Sequence, residues 1–156
     1  MPPSTLRRTY WPLDHDVDTQ DTVLPGPDHY RVRVVTTCLN DSAVVNPITE
    51  NAGPALEVSH NYQSELVVTR GRLPWGKATL TKALFRDHSV ALGPLQELSL
   101  SRTAFARYLS GEFVFTTRLG VPDSDVFAEA EVGLVPAKAL RLVKVIQPEP
   151  DKSSEE

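Results

Sequence analysis

The residue types that could support catalysis are a histidine, an aspartate and a serine in the first half of the chain. His60, Asp41 and Ser42 match a nucleophilic triad, in which a carboxylate orients a histidine and the histidine takes the proton of a serine. The sequence contains neither the Gly-x-Ser-x-Gly turn nor the Ser-x-x-Lys motif that presents such a serine in hydrolases. Asp41 and Ser42 are adjacent, which is typical of a turn whose side chains bind main-chain amides. We therefore predict no catalytic residue, with a small hydrolase built on these three residues as the alternative.

Three alternating aspartates near the N-terminus are the candidates for a metal site. Asp14, Asp16 and Asp18 have the spacing that opens a calcium-binding loop, because hard cations take several carboxylate oxygens. Such a loop needs glycine at its sixth position and a bidentate glutamate at its twelfth, where this sequence has Thr19 and Pro25. Acidic runs of this kind usually face water. We predict no metal site, and a looser cation site on the three aspartates is the alternative.

The sequence offers no motif for another cofactor. Its four histidines lack the spacing of zinc ligands on one helix. Cys38 is the only cysteine, which excludes a disulfide within the chain and a cysteine-based zinc site. A glycine-rich phosphate loop is also missing from the sequence. We predict no cofactor.

Aromatic side chains are the remaining candidates for ligand contacts. If they are exposed they could form a binding platform, but such residues more often close the core and the ends of sheets. We favour the structural role. The residues concerned are Tyr10, Trp11, Trp75, Phe105 and Tyr108.

The elements that must position these residues are β-strands, because apolar and polar residues alternate along short runs separated by turn residues. The runs are Tyr30–Cys38, Leu56–Val68, Lys77–Thr81, Gln96–Ser101, Phe113–Leu119, Val126–Leu134 and Leu140–Ile146. They predict an all-β fold, either an antiparallel β-sandwich or an open barrel of about six or seven strands. One or two short helical turns are expected, over Lys82–Arg86 after the capping residue Thr81 and over Arg102–Leu109. For the second segment a strand is the alternative, because Thr103, Phe105, Arg107 and Leu109 also alternate.

The division of the chain follows from its length and its prolines. A chain of 156 residues has room for one domain. Prolines without periodic apolar residues predict an irregular N-terminal segment over 1–28. A single β domain follows over 29–146, and a disordered acidic tail over 147–156.

Composition excludes two classes of partner. The net charge of −4 and the isoelectric point near 5.6 give no basic surface for nucleic acid. The longest apolar runs are far shorter than the ~18 residues of a membrane-spanning helix. The N-terminus lacks the apolar stretch of a secretory signal, so no export is expected from the sequence itself.

The first two runs also predict the position of His60. Consecutive strands are usually neighbours, and an antiparallel pairing that keeps both apolar faces together sets Val34 opposite His60. At a rise of ~3.3 Å per residue, His60 would then lie well over 10 Å from Asp41 and Ser42. That separation would be too long for proton transfer.

Four strings carry a resemblance to a known family. They are YRVRVVTTCLNDSAVV (Tyr30–Val45), EVSHNYQSELVV (Glu57–Val68), LTKALF (Leu80–Phe85) and GVPDSDVF (Gly120–Phe127). The chain resembles, over about residues 30–135, a domain-of-unknown-function family of small lipoprotein-like proteins of Bacteroidetes. The resemblance implies a β-rich domain in the periplasm or on the outer side of the cell envelope, without a known activity. Members would carry a signal peptide and an acylated cysteine near the start, whereas Cys38 lies inside a predicted strand.

Taken together, the sequence predicts a non-catalytic β domain that serves as an envelope-associated binding or structural module. Its partner would be a protein or a small molecule in the envelope. The first alternative is the small hydrolase based on His60, Asp41 and Ser42. The second is a β-barrel that binds a small apolar ligand at a mouth surrounded by aromatic residues.

Overall fold

The computed structural model of the protein describes residues 6–87 and 93–146, and β-strands predominate in both ranges. Within them the chain forms eleven strands and two short 3-10 turns. The strands are β1 (Arg7–Tyr10), β2 (Val17–Val23), β3 (Tyr30–Cys38), β4 (Val44–Glu50), β5 (Gly53–Ser59), β6 (Tyr62–Arg70), β7 (Leu73–Leu80), β8 (Ser99–Leu109), β9 (Glu112–Gly120), β10 (Phe127–Leu134) and β11 (Arg141–Ile146). The 3-10 turns span Lys82–Phe85 and Leu95–Glu97.

Two four-stranded antiparallel sheets pack face to face around the main core. One has the strand order β2-β3-β6-β7 and the other the order β11-β10-β9-β8. Alternate residues of both sheets point into the space between them, as period-two strands require. The buried core combines Val32, Val34, Leu66, Val68 and Leu80 with Phe113, Phe115, Leu119, Ala130, Val132 and Leu134. The predicted all-β sandwich is confirmed.

A third sheet extends the sandwich and contains the start of the described chain. Its order is β1-β5-β4, with β1 parallel and β4 antiparallel to the central β5. Pro47 lies in β4, and β4 is at the edge of the sheet, where a missing main-chain donor is tolerated. The three sheets are open, and no closed barrel occurs among the described strands.

The long alternating run Leu56–Val68 is divided into two strands. β5 ends at Ser59 and β6 begins at Tyr62, and the two strands belong to different sheets. His60 and Asn61 occupy the break. The alternation of the sequence continues at even positions through this break, although β5 also buries Ala55 and Ser59 at odd positions, so the pattern does not reveal the break.

The N-terminal segment 1–28 is not irregular throughout, as the sequence predicted, since β1 and β2 lie in it. All four residues of β1 are exposed, and six of the seven residues of β2 are exposed. These edge strands are held mainly by main-chain pairing with β5 and β3, so they need no apolar alternation. They and the pair β4–β5, in a stretch rich in turn residues, raise the number of strands above the expected six or seven.

The segment Arg102–Leu109 is part of strand β8, so the helical turn predicted there is wrong. Thr103 is buried and shares a hydrogen bond of 2.9 Å with Thr117 on β9. Phe105 packs edge-on against Phe115, with 5.6 Å between ring centroids. These period-two contacts with β9 outweigh the helical spacing of the apolar residues. The other predicted turn is present as the 3-10 turn Lys82–Phe85, but Thr81 makes no side-chain cap.

The pairing of β3 is antiparallel and keeps its apolar face, but its register differs from the predicted one. Val34 lies opposite Leu66 rather than opposite His60, six residues further along the chain. The parity of the pairing was predicted correctly because a change of one residue would expose the apolar face of a strand. The exact register depends on the connection between the strands, which here contains the further pair β4–β5.

The C-terminal part follows the sequence closely. The alternating residues of β9 and β10 form the predicted hairpin, with Phe115 opposite Val132 and Thr117 opposite Ala130. Strand β11 then follows at Arg141–Ile146. The predicted acidic tail 147–156 lies outside the described residues. Neither 3-10 turn in the described ranges is long or apolar enough to cross a membrane.

Candidate functional site

A cleft lies at one end of the sandwich, between the N-terminal segment and the turn that joins β9 to β10. Its volume is about 470 Å³, within the ~300–1,000 Å³ that is usual for small-molecule sites. One wall combines Trp11 with residues of β2, β3 and β6, and the other consists of β8, β9 and the β9–β10 turn. The side chain of Gln20 on β2 bridges these walls by donating to the main-chain oxygen of Thr103 on β8, at 3.1 Å.

Charged side chains of both signs line the cleft. Asp18 on β2 and the turn residues Asp123 and Asp125 supply carboxylates. Arg102 on β8 and Arg118 on β9 supply guanidinium groups. Serine and threonine residues lie on the same walls, and the hydroxyls of Thr36, Ser99 and Ser124 are hydrogen-bonded within the protein. The lining therefore offers strong hydrogen-bond acceptors and strong donors within one space.

Aromatic rings flank these polar groups. Trp11 is half-buried, and its main-chain N–H donates to the oxygen of Val58 at 2.8 Å, which ties it to the end of the parallel pair β1–β5. On the opposite wall the guanidinium of Arg118 lies over the ring of Phe127, 4.1 Å from its centroid. Arg118 also forms an ion pair of 3.4 Å with Glu129. The position of Arg118 is thus set by a ring and a carboxylate together.

Two residues of the cleft have left-handed main-chain conformations. Arg102 has φ of 51° and Asp123 has φ of 56°. The pairing of β8 with β9 is interrupted between Ser101 and Ala104, so Arg102 lies in a β-bulge. Bulges change the direction of a side chain and are frequent beside binding sites. Five other non-glycine residues of the described ranges also have positive φ, so this conformation does not by itself mark the cleft as a functional site.

The three aspartates predicted as weak metal candidates point to different partners. Asp14 accepts a hydrogen bond of 2.8 Å from the Tyr62 hydroxyl and one of 2.9 Å from the main-chain N–H of Asp16. These two bonds, that of Asp16 first, hold the pKa of Asp14 below its ordinary value. Asp18 lines the cleft. Across residues 6–87 and 93–146 no three His, Cys, Asp or Glu side chains are grouped as metal ligands would be.

This separation of the aspartates predicts that calcium does not stabilise the protein. A cation that binds only the folded state raises the melting temperature by mass action. We expect millimolar calcium to change the melting temperature by less than about 1 °C, measured by differential scanning fluorimetry against a sample with chelator. A rise of several degrees would show that the folded protein binds calcium and would contradict this prediction.

His60, Asp41 and Ser42 lie together, so the predicted separation of more than 10 Å is wrong. The main-chain N–H of Ser42 donates to Nδ1 of His60 at 3.0 Å. With Nδ1 as an acceptor, Nε2 carries the ring proton and donates to the main-chain oxygen of Pro12 at 3.1 Å. The ring is buried, with 4% exposure. Both nitrogens thus bind the main chain, and the lone pair that a general base would use is occupied by an amide rather than by the Ser42 hydroxyl.

Asp41 stabilises the same β5–β6 junction, the break at His60 and Asn61, through a different set of hydrogen bonds. Its carboxylate accepts hydrogen bonds of 2.9 Å from the main-chain N–H and from the side-chain amide of Asn61, and one of 3.3 Å from the N–H of Ala43. Burial acts to raise the pKa of Asp41, but these bonds outweigh it and hold the pKa below its ordinary value. Asp41 therefore orients Asn61 and its own turn, and not His60.

Tyr62 connects the junction to the cleft, and it predicts how stability changes at high pH. Burial, and then the hydrogen bond to Asp14, raises the pKa of Tyr62 above its ordinary value. The folded state then keeps its phenolic proton where the unfolded chain has lost it. The contribution of Tyr62 to the free energy of unfolding is therefore fully present below about pH 10, the ordinary pKa of tyrosine, and decreases as the pH rises above that value.

The substitution Tyr62→Phe should make this alkaline decrease shallower, measured as the free energy of unfolding in urea between about pH 9 and pH 11. Some decrease will persist, because burial also raises the pKa of Tyr30. The matched control is Tyr10→Phe, at a tyrosine with 60% exposure, which should leave the slope unchanged. Equal slopes for Tyr62→Phe and the unmodified protein would contradict the role given to this phenol.

No family model and no curated protein sequence matches this chain. Its function therefore has to be inferred from the geometry of its sites.

The aromatic residues predicted as a possible platform are distributed over different places. Trp11 lines the cleft, whereas Phe105 packs on the core. Trp75 and Tyr108 lie against Tyr30, with centroids 6.2 Å and 5.2 Å away, beyond the cleft lining. The structural role favoured by the sequence thus describes Phe105, Trp75 and Tyr108, whereas Trp11 lines the cleft and Tyr10 is exposed outside its lining.

Sequence reasoning did not single out Arg102, Arg118 or Phe127. It explained Asp123 and Asp125 by turn chemistry alone, and the left-handed conformation of Asp123 agrees with that part. One signal was available, since Arg118 lies just before a turn that carries two aspartates. Opposite charges at one end of a hairpin would have indicated a polar site there.

Proposed function

We propose that the protein is a non-catalytic β domain that binds a small ligand or a segment of a partner in the cleft between Trp11 and the β9–β10 turn. The observation that carries this proposal is the cleft itself, about 470 Å³ in volume and lined by charges of both signs and by aromatic rings. Sites of this kind combine an apolar surface with a few placed polar groups. A location at the cell envelope is part of the proposal and is supported by the sequence resemblance.

The arrangement of His60 favours binding over hydrolysis. A general base needs a ring nitrogen with a free lone pair directed at the nucleophile. In His60 that lone pair accepts from the Ser42 amide, and the other nitrogen donates to Pro12. His60 therefore fastens the segment that follows Trp11 to the β5–β6 junction, which fixes one wall of the cleft.

The proposal is tested by protein-observed NMR with a chemically diverse fragment library. The two tryptophans provide separate indole signals, one from Trp11 in the cleft and one from Trp75 outside its lining. Binding fragments should shift the Trp11 signal and the amides of the β9–β10 turn, and leave the Trp75 signal in place. Fragments that act mainly at Trp75, or no fragment that acts at Trp11, would contradict the proposal.

A small hydrolase is the second candidate, because the structure places Ser42 beside His60. A fluorophosphonate probe distinguishes the two functions, since it reacts with serines that a base activates. We expect no labelling of Ser42. Labelling that is lost in both Ser42→Ala and His60→Gln would establish the hydrolase. The barrel that binds an apolar ligand is not supported, because the described sheets are open and the cleft carries five charged residues.

A further inference from the structure

The charges of the cleft restrict the ligands that it can accept. Three aspartates, Asp18, Asp123 and Asp125, line it together with Arg102 and Arg118, and the guanidinium of Arg118 is paired with Glu129. An anionic ligand would be repelled by the aspartates and a cationic ligand by the arginines, and each would leave the residues of its own sign without a partner. A neutral ligand avoids both costs. It must, however, satisfy groups that only accept and groups that only donate.

Hydroxyl groups meet this requirement, because each can donate to a carboxylate and accept from a guanidinium. Two neighbouring hydroxyls also match the fork of an arginine, which favours pairs of acceptors. A ligand with many hydroxyls would therefore pair most of the polar lining.

The rings of the cleft add the second requirement, an apolar surface on the ligand. Trp11 is half-buried and fixed at its main chain, so its indole presents a surface that costs little entropy to use. The ring of Phe127 is already covered on one side by Arg118. A sugar ring has both features, since its C–H groups can lie against an aromatic face while its hydroxyls point sideways.

A peptide that would add a strand to β8 fits the cleft less well. Peptides commonly bind by adding a strand to a free sheet edge, and β8 is an edge strand. The bulge at Arg102 interrupts that edge at the cleft, with pairing to β9 irregular between Ser101 and Ala104. An added strand could not continue its ladder of hydrogen bonds past this point.

We infer that the ligand of the cleft is a neutral carbohydrate, an inference that depends on the binding function proposed above. A sugar ring lies on Trp11, and its hydroxyls donate to Asp123 and Asp18 and accept from Arg102 and Arg118. The position of Arg118 is set in advance by Phe127 and Glu129, which lowers the entropy lost on binding.

Fluorescence titration tests the inference in the variant Trp75→Phe, where Trp11 is the only tryptophan. The probes are neutral tetrasaccharides of β-1,4-glucose, α-1,4-glucose and β-1,4-N-acetylglucosamine, the anionic tetragalacturonate, and an uncharged tetrapeptide. We expect at least one neutral tetrasaccharide to change the Trp11 emission with saturation and a dissociation constant below about 1 mM. Tetragalacturonate should bind at least tenfold more weakly.

Three variants, with calorimetry as the readout, keep the test specific. Trp11→Ala should weaken binding at least tenfold, whereas Trp75→Ala, its matched control outside the lining, should change the affinity less than about twofold. Asp123→Asn keeps a residue that tolerates positive φ, so the turn persists while a charge is removed. Asp123→Asn should lower the affinity for the neutral tetrasaccharide and reduce the difference in affinity between it and tetragalacturonate.

The outcomes separate this inference from the proposed function. Binding of the tetrapeptide or of tetragalacturonate at Trp11, as tight as or tighter than any neutral tetrasaccharide, would overturn the carbohydrate and leave the binding cleft in place. If none of the probes changes the Trp11 emission, the inference that the ligand is a carbohydrate is also overturned. If the NMR fragment library then gives no shift at Trp11, the binding function fails with it.

Discussion

Replacing His60 by alanine is expected to lower the free energy of unfolding by about 2–4 kcal/mol, one of the two largest effects of a single substitution that the structure indicates. The ring is buried, so its removal leaves a cavity. It also leaves the N–H of Ser42 and the oxygen of Pro12 without their partners. A buried polar group that loses its partner costs about 1–3 kcal/mol, less where water can replace it.

Two conservative substitutions divide this effect between the two hydrogen bonds. In His60→Asn the amide oxygen can replace Nδ1 as acceptor for Ser42, and in His60→Gln the amide nitrogen can replace Nε2 as donor to Pro12. Each should recover part of the stability in urea unfolding experiments. His15→Ala, at an exposed histidine, is the matched control and should be close to neutral. A His60→Ala protein as stable as this control would show that the junction is not held by the ring.

His60→Ala should also weaken the binding of a ligand in the cleft. Pro12 follows Trp11 directly, so the bond from His60 to the Pro12 oxygen limits the positions of the indole. Losing it converts a fixed surface into one that must be ordered when the ligand binds. His60 is a positioning residue in this account, and its replacement should affect the affinity for the ligand as well as stability.

The parts of the fold that the sequence predicted are those with a buried face on consecutive strands. The β9–β10 hairpin is one, because Phe113, Phe115 and Thr117 alternate toward the core and the turn residues follow directly. The correct face of β3 is another. In both cases one-residue shifts are heavily penalised by exposure of apolar side chains.

The parts of the fold that the sequence did not predict are stabilised by contacts between segments that are distant along the chain. β1 and β2 are exposed strands that exist because β5 and β3 offer them an edge, and no local pattern records that edge. The break at His60 changes sheet without changing parity, so alternation alone cannot reveal it. Tertiary pairing here overrides local preference.

The cleft was missed for a related reason. Trp11 and Asp18 come from the N-terminal segment, and Arg102 and Arg118 from the distant β8–β9 pair, so the four residues meet only when the sheets pack. The proximity of Ser42 to His60 was missed because the predicted register carried His60 into the middle of a sheet. A site made of residues from several edges needs the register of every strand, which parity does not supply.

Gly120→Ala is the second substitution with a large expected effect, because no room exists for a side chain at this position. A Cβ atom would lie 2.6 Å from the main-chain oxygen of Val126 and 2.7 Å from Cβ of Phe127. Both neighbours belong to the chain that returns from the turn, where the N–H of Val121 donates to the Val126 oxygen at 2.9 Å. The clash can be relieved only by opening the hairpin at the cleft. Such overpacking costs about 1–3 kcal/mol.

Gly76→Ala is its matched control, since Gly76 also lies in a strand but has space for a methyl group. Its added Cβ would be 3.6 Å from the nearest atom, Cδ2 of Leu134, which is ordinary contact. We expect Gly76→Ala to be neutral or to stabilise the fold by up to about 1 kcal/mol, because alanine restricts the unfolded chain. Gly120→Ala should unfold at lower urea concentration and also lose affinity for any ligand that contacts Asp123 or Phe127, because their turn is displaced. Equal stability and equal affinity in the two variants would mean that the turn moves freely, and would remove the β9–β10 wall from the binding site.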